Sequence, residues 1–217
     1  MLTRDTLRNG AFLTAFRDTP EIDWWSEERI NALMQEMLAC RPAGESVWLF
    51  AYGSLIWNPL VHFAEKCPAL LEGWRRSFCI RLVIARGSAQ RPGRMMALVP
   101  GGHTAGLALR LHGPDLEQEL AMVWTREMIG GVYRPEWTQI TLADKRTVPA
   151  IIFTANQNSR LYESDDTIET IAPVIAGACG PLGSNQDYVM QLDSALQRHG
   201  IEDRYIHTLA SRLRPES

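Results

Sequence analysis

Glu127 ends an apolar stripe, and the chemistry of this sequence starts there. In PDLEQELAMVWTREMIGG, residues Leu116, Leu120 and Val123 recur at the i, i+4, i+7 spacing of one helix face. The next position in that series, i+11, is Glu127, which at about 100° per residue falls about 20° from Leu116. A carboxylate carried toward an apolar interior loses hydration, so its pKa rises unless cations or donors compensate. Such a group is a useful base near neutral pH. A second reading ends the buried turns earlier and pairs Glu127 with Arg126, Arg134 or solvent. Periodicity alone does not choose between them. Glu117 and Glu119 fall on the opposite face and are expected to be solvated.

A second chemical signal is the broken strand WLFAYGSLIWNP, residues 48 to 59. An apolar run stops at Gly53-Ser54, resumes as Leu55-Ile56-Trp57 and ends at Asn58-Pro59. Where a strand ends in this way, the following N–H groups lose their ladder partners and can converge on a cavity. Glycine lets a ligand approach closely. Tyr52, Gly53, Ser54 and Leu55 could therefore cradle a carboxylate or an oxyanion with main-chain donors. A β-bulge turning a barrel corner would use the same glycine, and both readings stay open.

Other chemistries find less support. Ser54 lacks the Gly-x-Ser-x-Gly of a nucleophile elbow, since Tyr52 and Ile56 occupy the flanking positions. The five histidines and four cysteines show no metal-ligand spacing, so no metal is expected. RPGR at 91–94 and GPLGS at 180–184 read as structured loops able to place donors near an anion. The second opens a helix, whose first N–H groups favour negative charge, with Tyr188 one turn in.

These groups need a scaffold, and the chain is long enough for one large domain: 217 residues, 46% hydrophobic. A net charge of −3 gives no global reason to expect nucleic acid or an anionic membrane as partner. No window approaches the ~18 apolar residues of a membrane span. The charged start MLTRDTLRNG lacks the apolar core of a signal peptide, so a cytoplasmic protein with free thiols is expected. Residues 1–45 are predicted helical, with Ser26 capping the repeat Ile30, Leu33, Met34, Met37, Leu38 and Arg41-Pro42-Ala43-Gly44 as its stop. Trp24-Trp25 should pack on these helices. Six strands are predicted at about 47–52, 72–83, 95–99, 105–111, 137–143 and 147–154, with PGGH (100–103) as a turn. The Glu127 helix lies between the fourth and fifth, capped by Asp115 and stopped by Gly130-Gly131. Helices from about Thr167 to Ala178 and from near Ser184 follow. This order predicts an α+β fold with a small mixed β-barrel flanked by helices.

VWLFAYGSLIWNP, QRPGRMMAL, TREMIGGVYRPEW and GPLGSNQDYV together resemble the ChaC family of γ-glutamylcyclotransferases, in family order over roughly residues 47–192. Ala51 stands where the family commonly has a glycine before YGSL, and Val132 precedes Tyr133 where the acid motif reads Gly-Gly-Tyr. The resemblance implies a small barrel flanked by helices, a glycine-rich turn holding a γ-glutamyl group, and Glu127 as the catalytic acid. It implies a lyase cleaving glutathione to 5-oxoproline and cysteinylglycine by attack of the substrate's own α-amine, without cofactor. Substrate contacts are then expected from Tyr52, Gly53, Ser54, Leu55 and Tyr188, with Arg76 or Arg94, on charge alone, pairing a substrate carboxylate. Residues 1–45 become an extension for packing or assembly, 46–217 the catalytic domain, and the assembly a monomer or homodimer. The 155–166 segment is a candidate lid. Other γ-glutamyl peptides or amines as substrates, or a binding protein without turnover, are the alternatives.

Overall fold

The computed structural model describes residues 3–14, 19–42 and 46–214. Two short helices, α1 (Arg4–Arg8) and α2 (Ala11–Thr14), precede α3 (Glu27–Ala39). Ser26 starts α3 as its sequence predicts: the hydroxyl accepts the Arg29 N–H at 3.3 Å, and Ile30 and Met34 turn inward. Of the expected stop, Ala43 and Gly44 lie outside the described residues.

Five strands close into a barrel: β1 (Val47–Ala51), β2 (Glu65–Leu82), β3 (Gly93–Leu111), β4 (Tyr133–Leu142) and β5 (Thr147–Ala155). They join in the order β1-β3-β2-β4-β5, and parallel pairing of β1 with β5 completes the ring. The remaining ladders are antiparallel except for a β3–β5 contact at Leu98 and Thr154, so the sheet is mixed, as expected. Closure leaves no long open edge. Every residue of β1 is buried, which is why it reads as an unbroken apolar run.

Six predicted strands become five because 95–99 and 105–111 are two parts of β3. The PGGH segment between them stays in the ladder: Pro100 pairs with Trp74 and His103 with Glu72. Gly101 and Gly102 have φ of 113° and 65°, and Gly73 opposite them has 81°. The glycines therefore bend the β2–β3 ribbon through a bulge and do not reverse it.

Between β3 and β4 runs α4 (Leu116–Met128). Asp115 precedes it without a side-chain capping bond, so that expected cap is not formed. Gly131, at φ 61°, ends the helix against Trp25, whose Nε1 would lie 2.6 Å from a Cβ at that position. The Trp25 N–H also donates to the Ile129 carbonyl at 3.0 Å. The residues before the barrel thus sit on the helix that carries Glu127.

Glu119 is a correction to the sequence reading. It is buried, not solvated: Arg4 donates to both carboxylate oxygens at 2.7 and 2.6 Å, and the His62 N–H donates at 2.8 Å. Burial alone would raise its pKa; the bonds from Arg4 and His62 override that and hold it below the usual carboxylate range. Periodicity on α4 identifies the face toward the barrel, and α1 covers a second face that only the fold supplies.

After β5 come α5 (Ile168–Gly177), a short ribbon of 179–180 with 183–184, α6 (Asn185–Arg198) and α7 (Arg204–Leu213). A reciprocal cap starts α6: Ser184 Oγ accepts the Asp187 N–H at 3.0 Å, and Asp187 accepts the Ser184 N–H at 3.4 Å. No signal had marked α7, whose cap Asp203 accepts the Ile206 N–H at 3.0 Å.

Candidate active site

The broken strand ends in a tight turn. After Gly53 the chain enters one 3-10 turn, Ser54–Ile56, with the Ile56 N–H donating to Gly53 O at 2.9 Å and the Asn58 N–H to Ser54 O at 2.9 Å. The first N–H groups of such a turn have no acceptor within it. Glycine is required at 53 by space: a Cβ there would lie 2.9 Å from the Tyr188 hydroxyl.

Facing this turn is Glu127. The two meet in a narrow recess of about 20 Å³ lined by Tyr52, Gly53, Ser54, Leu55, Glu127, Tyr133 and Tyr188, among others. Both readings of Glu127 are partly right. It points into the recess, and Arg126 Nε lies 3.1 Å from its Oε1. Burial raises its pKa, and the Arg126 charge offsets that only in part.

Arg126 enters the sequence reading only as a possible partner of Glu127, and it does more. Besides Glu127 it donates to the Asn58 carbonyl at 2.6 Å and to Ser54 Oγ at 2.5 Å, tying the acid to the turn. A guanidinium only donates, so the Ser54 proton is free to go elsewhere. Burial, then the Glu127 charge, raises the Tyr188 phenol to about 12, against the Arg126 charge and hydrogen bonding with Ser54, which lower it. The ring of Tyr188 is held edge-on by Trp57 at 5.3 Å and Phe78 at 6.1 Å. Tyr52 and Tyr133 are likewise pushed well above 10 by burial, and they donate to Phe153 O and Met96 O, each at 2.7 Å. The adjacency of Arg126 to Glu127 was visible in the sequence; its reach to Ser54 was not.

The recess opens into a cleft of about 1020 Å³, which shares Ser54, Glu127, Tyr133 and Tyr188 with it. Although far smaller, the recess is where the acid and the turn meet, so the chemistry belongs there. Five arginines line the cleft (Arg4, Arg81, Arg86, Arg94 and Arg126) against one carboxylate, Glu127. Arg94 lies in the wall with its buried Nε lacking a hydrogen-bond partner, and it pairs with Glu163 at its outer end. Asn185 of α6 fixes its backbone from both sides, accepting the Arg94 N–H at 2.7 Å and donating to the Arg94 carbonyl at 3.0 Å.

Arg76 lines neither cavity. Its side chain is 1% exposed and uses all three nitrogens within the protein: Tyr52 O at 2.8 Å, Asp203 at 2.6 Å and Ala105 O at 2.6 Å. The expected contact with a substrate carboxylate is therefore replaced by a strut joining the end of β1 to β3 and α7. Breaking a buried ion pair from one side costs about 3–5 kcal/mol. Arg76→Ala is expected to lose about that much stability in urea unfolding; unchanged stability with a raised KM would restore the direct role.

The 155–166 segment is stitched to β2 by Arg81 N–H to Leu161 O and Glu163 N–H to Cys79 O, both 2.8 Å, and forms a wall of the cleft through Leu161. Trp24 also lines the cleft instead of packing wholly on the N-terminal helices. Among the described residues no cluster of three or more His, Cys, Asp or Glu side chains is placed to hold a metal, and no helix is long and apolar enough to cross a membrane.

A closed mixed barrel flanked by helices, with a buried acid facing a turn at the end of β1, is a γ-glutamylcyclotransferase fold. The crystal structure of a γ-glutamyl cyclotransferase specific to glutathione from yeast matches with TM-score 0.71 over 78% of this chain and 96% of that one, at 21% identity. This chain belongs to the ChaC-like protein family, which matches residues 47–215. It is 48% identical to the glutathione-specific gamma-glutamylcyclotransferase of Escherichia coli over 96% of this chain and 90% of that protein. The human glutathione-specific gamma-glutamylcyclotransferase 1 is 27% identical over 76% and 77% of the two chains.

Proposed function

We propose that this protein cleaves glutathione to 5-oxoproline and cysteinylglycine, with Glu127 carrying the proton. The observation that supports it most is the meeting of a buried carboxylate of raised pKa with the Gly53–Leu55 turn in one recess. A recess of about 20 Å³ admits a group the size of one water, which suits a carbonyl oxygen and not a whole side chain.

The α-amine of the γ-glutamyl residue, with a pKa of about 7.7–8.0, is mostly ammonium at pH 7 and not nucleophilic. Glu127 removes one proton, and the freed nitrogen attacks the substrate's γ-carbonyl carbon. The developing oxyanion enters the recess and takes N–H donors from the turn. Tyr188, whose raised pKa keeps the phenol protonated, donates beside it. The bond to the cysteinyl nitrogen breaks as protonated Glu127 returns its proton there, since an amide anion is too poor a leaving group. The ring nitrogen gives up its second proton to solvent to become the lactam N–H, while the released amine takes one up. Water is not consumed. Of the arginines in the cleft, Arg4 is engaged by Glu119 and Arg126 by Glu127, while the orphaned Nε of Arg94 makes that residue the best placed to pair a substrate carboxylate.

Purified protein incubated with glutathione should release 5-oxoproline and cysteinylglycine in equal amounts. Calorimetric binding without product would favour a non-catalytic binding protein, and faster turnover of other γ-glutamyl peptides would shift the substrate class. The expected setting is the cytoplasm, as a monomer or homodimer.

Arg126 sets the working range of the acid. Its charge lowers the Glu127 pKa, so Arg126→Gln moves the acid limb of the kcat/KM profile to higher pH, because kcat/KM reports groups of the free enzyme. Arg126→Lys keeps the charge and should hold the limb closer to its original position. An unmoved limb in the glutamine variant would assign that limb to another group.

A further inference from the structure

We infer that the cleft also accepts glutathione bearing an apolar substituent on its sulfur, with the segment before the barrel supplying a wall on which that substituent packs. The inference rests on the glutathione reading above and extends it to S-conjugates. At about 1020 Å³ the cleft lies at the top of the ~300–1,000 Å³ that enclose drug-sized ligands. A tripeptide belongs at the small end of that range.

The lining beyond Glu127 does not match glutathione either. Ile22, Trp24, Trp57, Leu60, Val83 and Leu161 all contribute to it. Past its γ-glutamyl group, glutathione presents two amides or their ends, a carboxylate and one small thiol. Arginines of the same cleft answer the carboxylate, but nothing in the unmodified tripeptide covers the apolar side chains. The sulfur branches from the residue whose nitrogen leaves, so a substituent on it enters the cleft within a few bonds of Glu127.

Two of these side chains come from outside the span of the family match, which starts at 47. The E. coli relative aligns over 209 residues, more than lie from 47 to the end, so its similarity extends into this segment. The wall is firmly seated. Trp24 Nε1 donates to Thr19 O at 3.1 Å, the Trp25 N–H to Ile129 O at 3.0 Å, and Arg160 to Pro20 O at 2.8 Å. Ile22 is 7% exposed and belongs to the main core cluster. A fixed apolar wall binds an apolar group without first having to be ordered.

The chemistry is unchanged by the substituent. The α-amine nitrogen bonds to the γ-carbonyl carbon and the bond to the cysteinyl nitrogen breaks. Of the two protons the ammonium loses in becoming the lactam N–H, one passes through Glu127 to the leaving nitrogen and the other goes to solvent, from which the released amine takes one up. The carbon–sulfur bond is untouched, and the products are 5-oxoproline and the S-substituted cysteinylglycine.

The test compares glutathione with S-hexylglutathione on the full chain, measuring kcat and KM from 5-oxoproline release. Both should be cleaved, the conjugate with KM at least about tenfold lower, about 1.4 kcal/mol, which burial of two methylene groups supplies. Trp24→Ala and Ile22→Ala should each lower the ratio of conjugate to glutathione kcat/KM, by about tenfold for the tryptophan, with the remaining glutathione turnover reporting that the variants fold. Cleavage of glutathione but not of the conjugate overturns the inference, as does a ratio unmoved in both variants. If glutathione itself gives no 5-oxoproline, the reading of the site fails and takes this one with it.

Discussion

Glu127→Gln is expected to lower kcat/KM for glutathione by about 10²–10⁴-fold, the usual weight of a positioned general acid-base. Glutamine keeps the shape of the side chain and can still meet Arg126 Nε through its carbonyl oxygen, but it can neither take the ammonium proton nor return one. The stability of the variant separates this role from a structural one. Folding raises the Glu127 pKa, through burial above all. An acid of that kind stabilises the fold at pH below its unfolded value, where it is neutral in both states, and loses that contribution as pH rises through the raised folded value. Glutamine never ionises. The variant should therefore melt higher than wild type near neutral pH, with the gain shrinking toward acid. Activity within a few-fold of wild type would remove Glu127 from the mechanism, and inactivity with a lower melting temperature would make it structural.

Gly53→Ala should be nearly as damaging with one methyl group. The new Cβ would sit 2.9 Å from the Tyr188 hydroxyl, closer than carbon and oxygen tolerate. Tyr188 has little room to retreat, held by Ser54 on one side and by the rings of Trp57 and Phe78 on others. The turn must shift, and its donors leave the position of the oxyanion. Losing one such donor typically costs about 2.7–4 kcal/mol, or 10²–10³-fold in kcat. The interaction exists only once charge develops, so kcat and kcat/KM should fall together with KM little changed. A raised KM at normal kcat would show that the turn binds the ground state and not the oxyanion.

Much of this site is legible along the chain because its two halves are each local. The i, i+4, i+7 stripe of α4 sets Glu127 in line with the barrel face, with its burial left to the fold, and Gly53-Ser54 ends an apolar strand whatever lies opposite. Arg76 and Arg94 show the limit. Both are buried cations on long strands, and nothing in their neighbours distinguishes them; Asp203, the cap of a helix far along the chain, engages one, while Asn185 leaves the other in the cleft wall. PGGH fails as a turn for a related reason, since two glycines permit a reversal or a bulge and Gly73 on the partner strand selects the bulge.

The sequence by itself determined most of the elements, the helical stripe in which Glu127 stands and the glycine break, because helical period and backbone sterics act over a few residues. Tertiary structure alone decided that acid and turn share a recess, that Arg126 bridges them, that Glu119 is buried under Arg4, and that the segment before β1 walls the cleft. Those outcomes depend on which polar group finds which distant partner when the barrel closes, and pairing of that kind leaves no period in the chain.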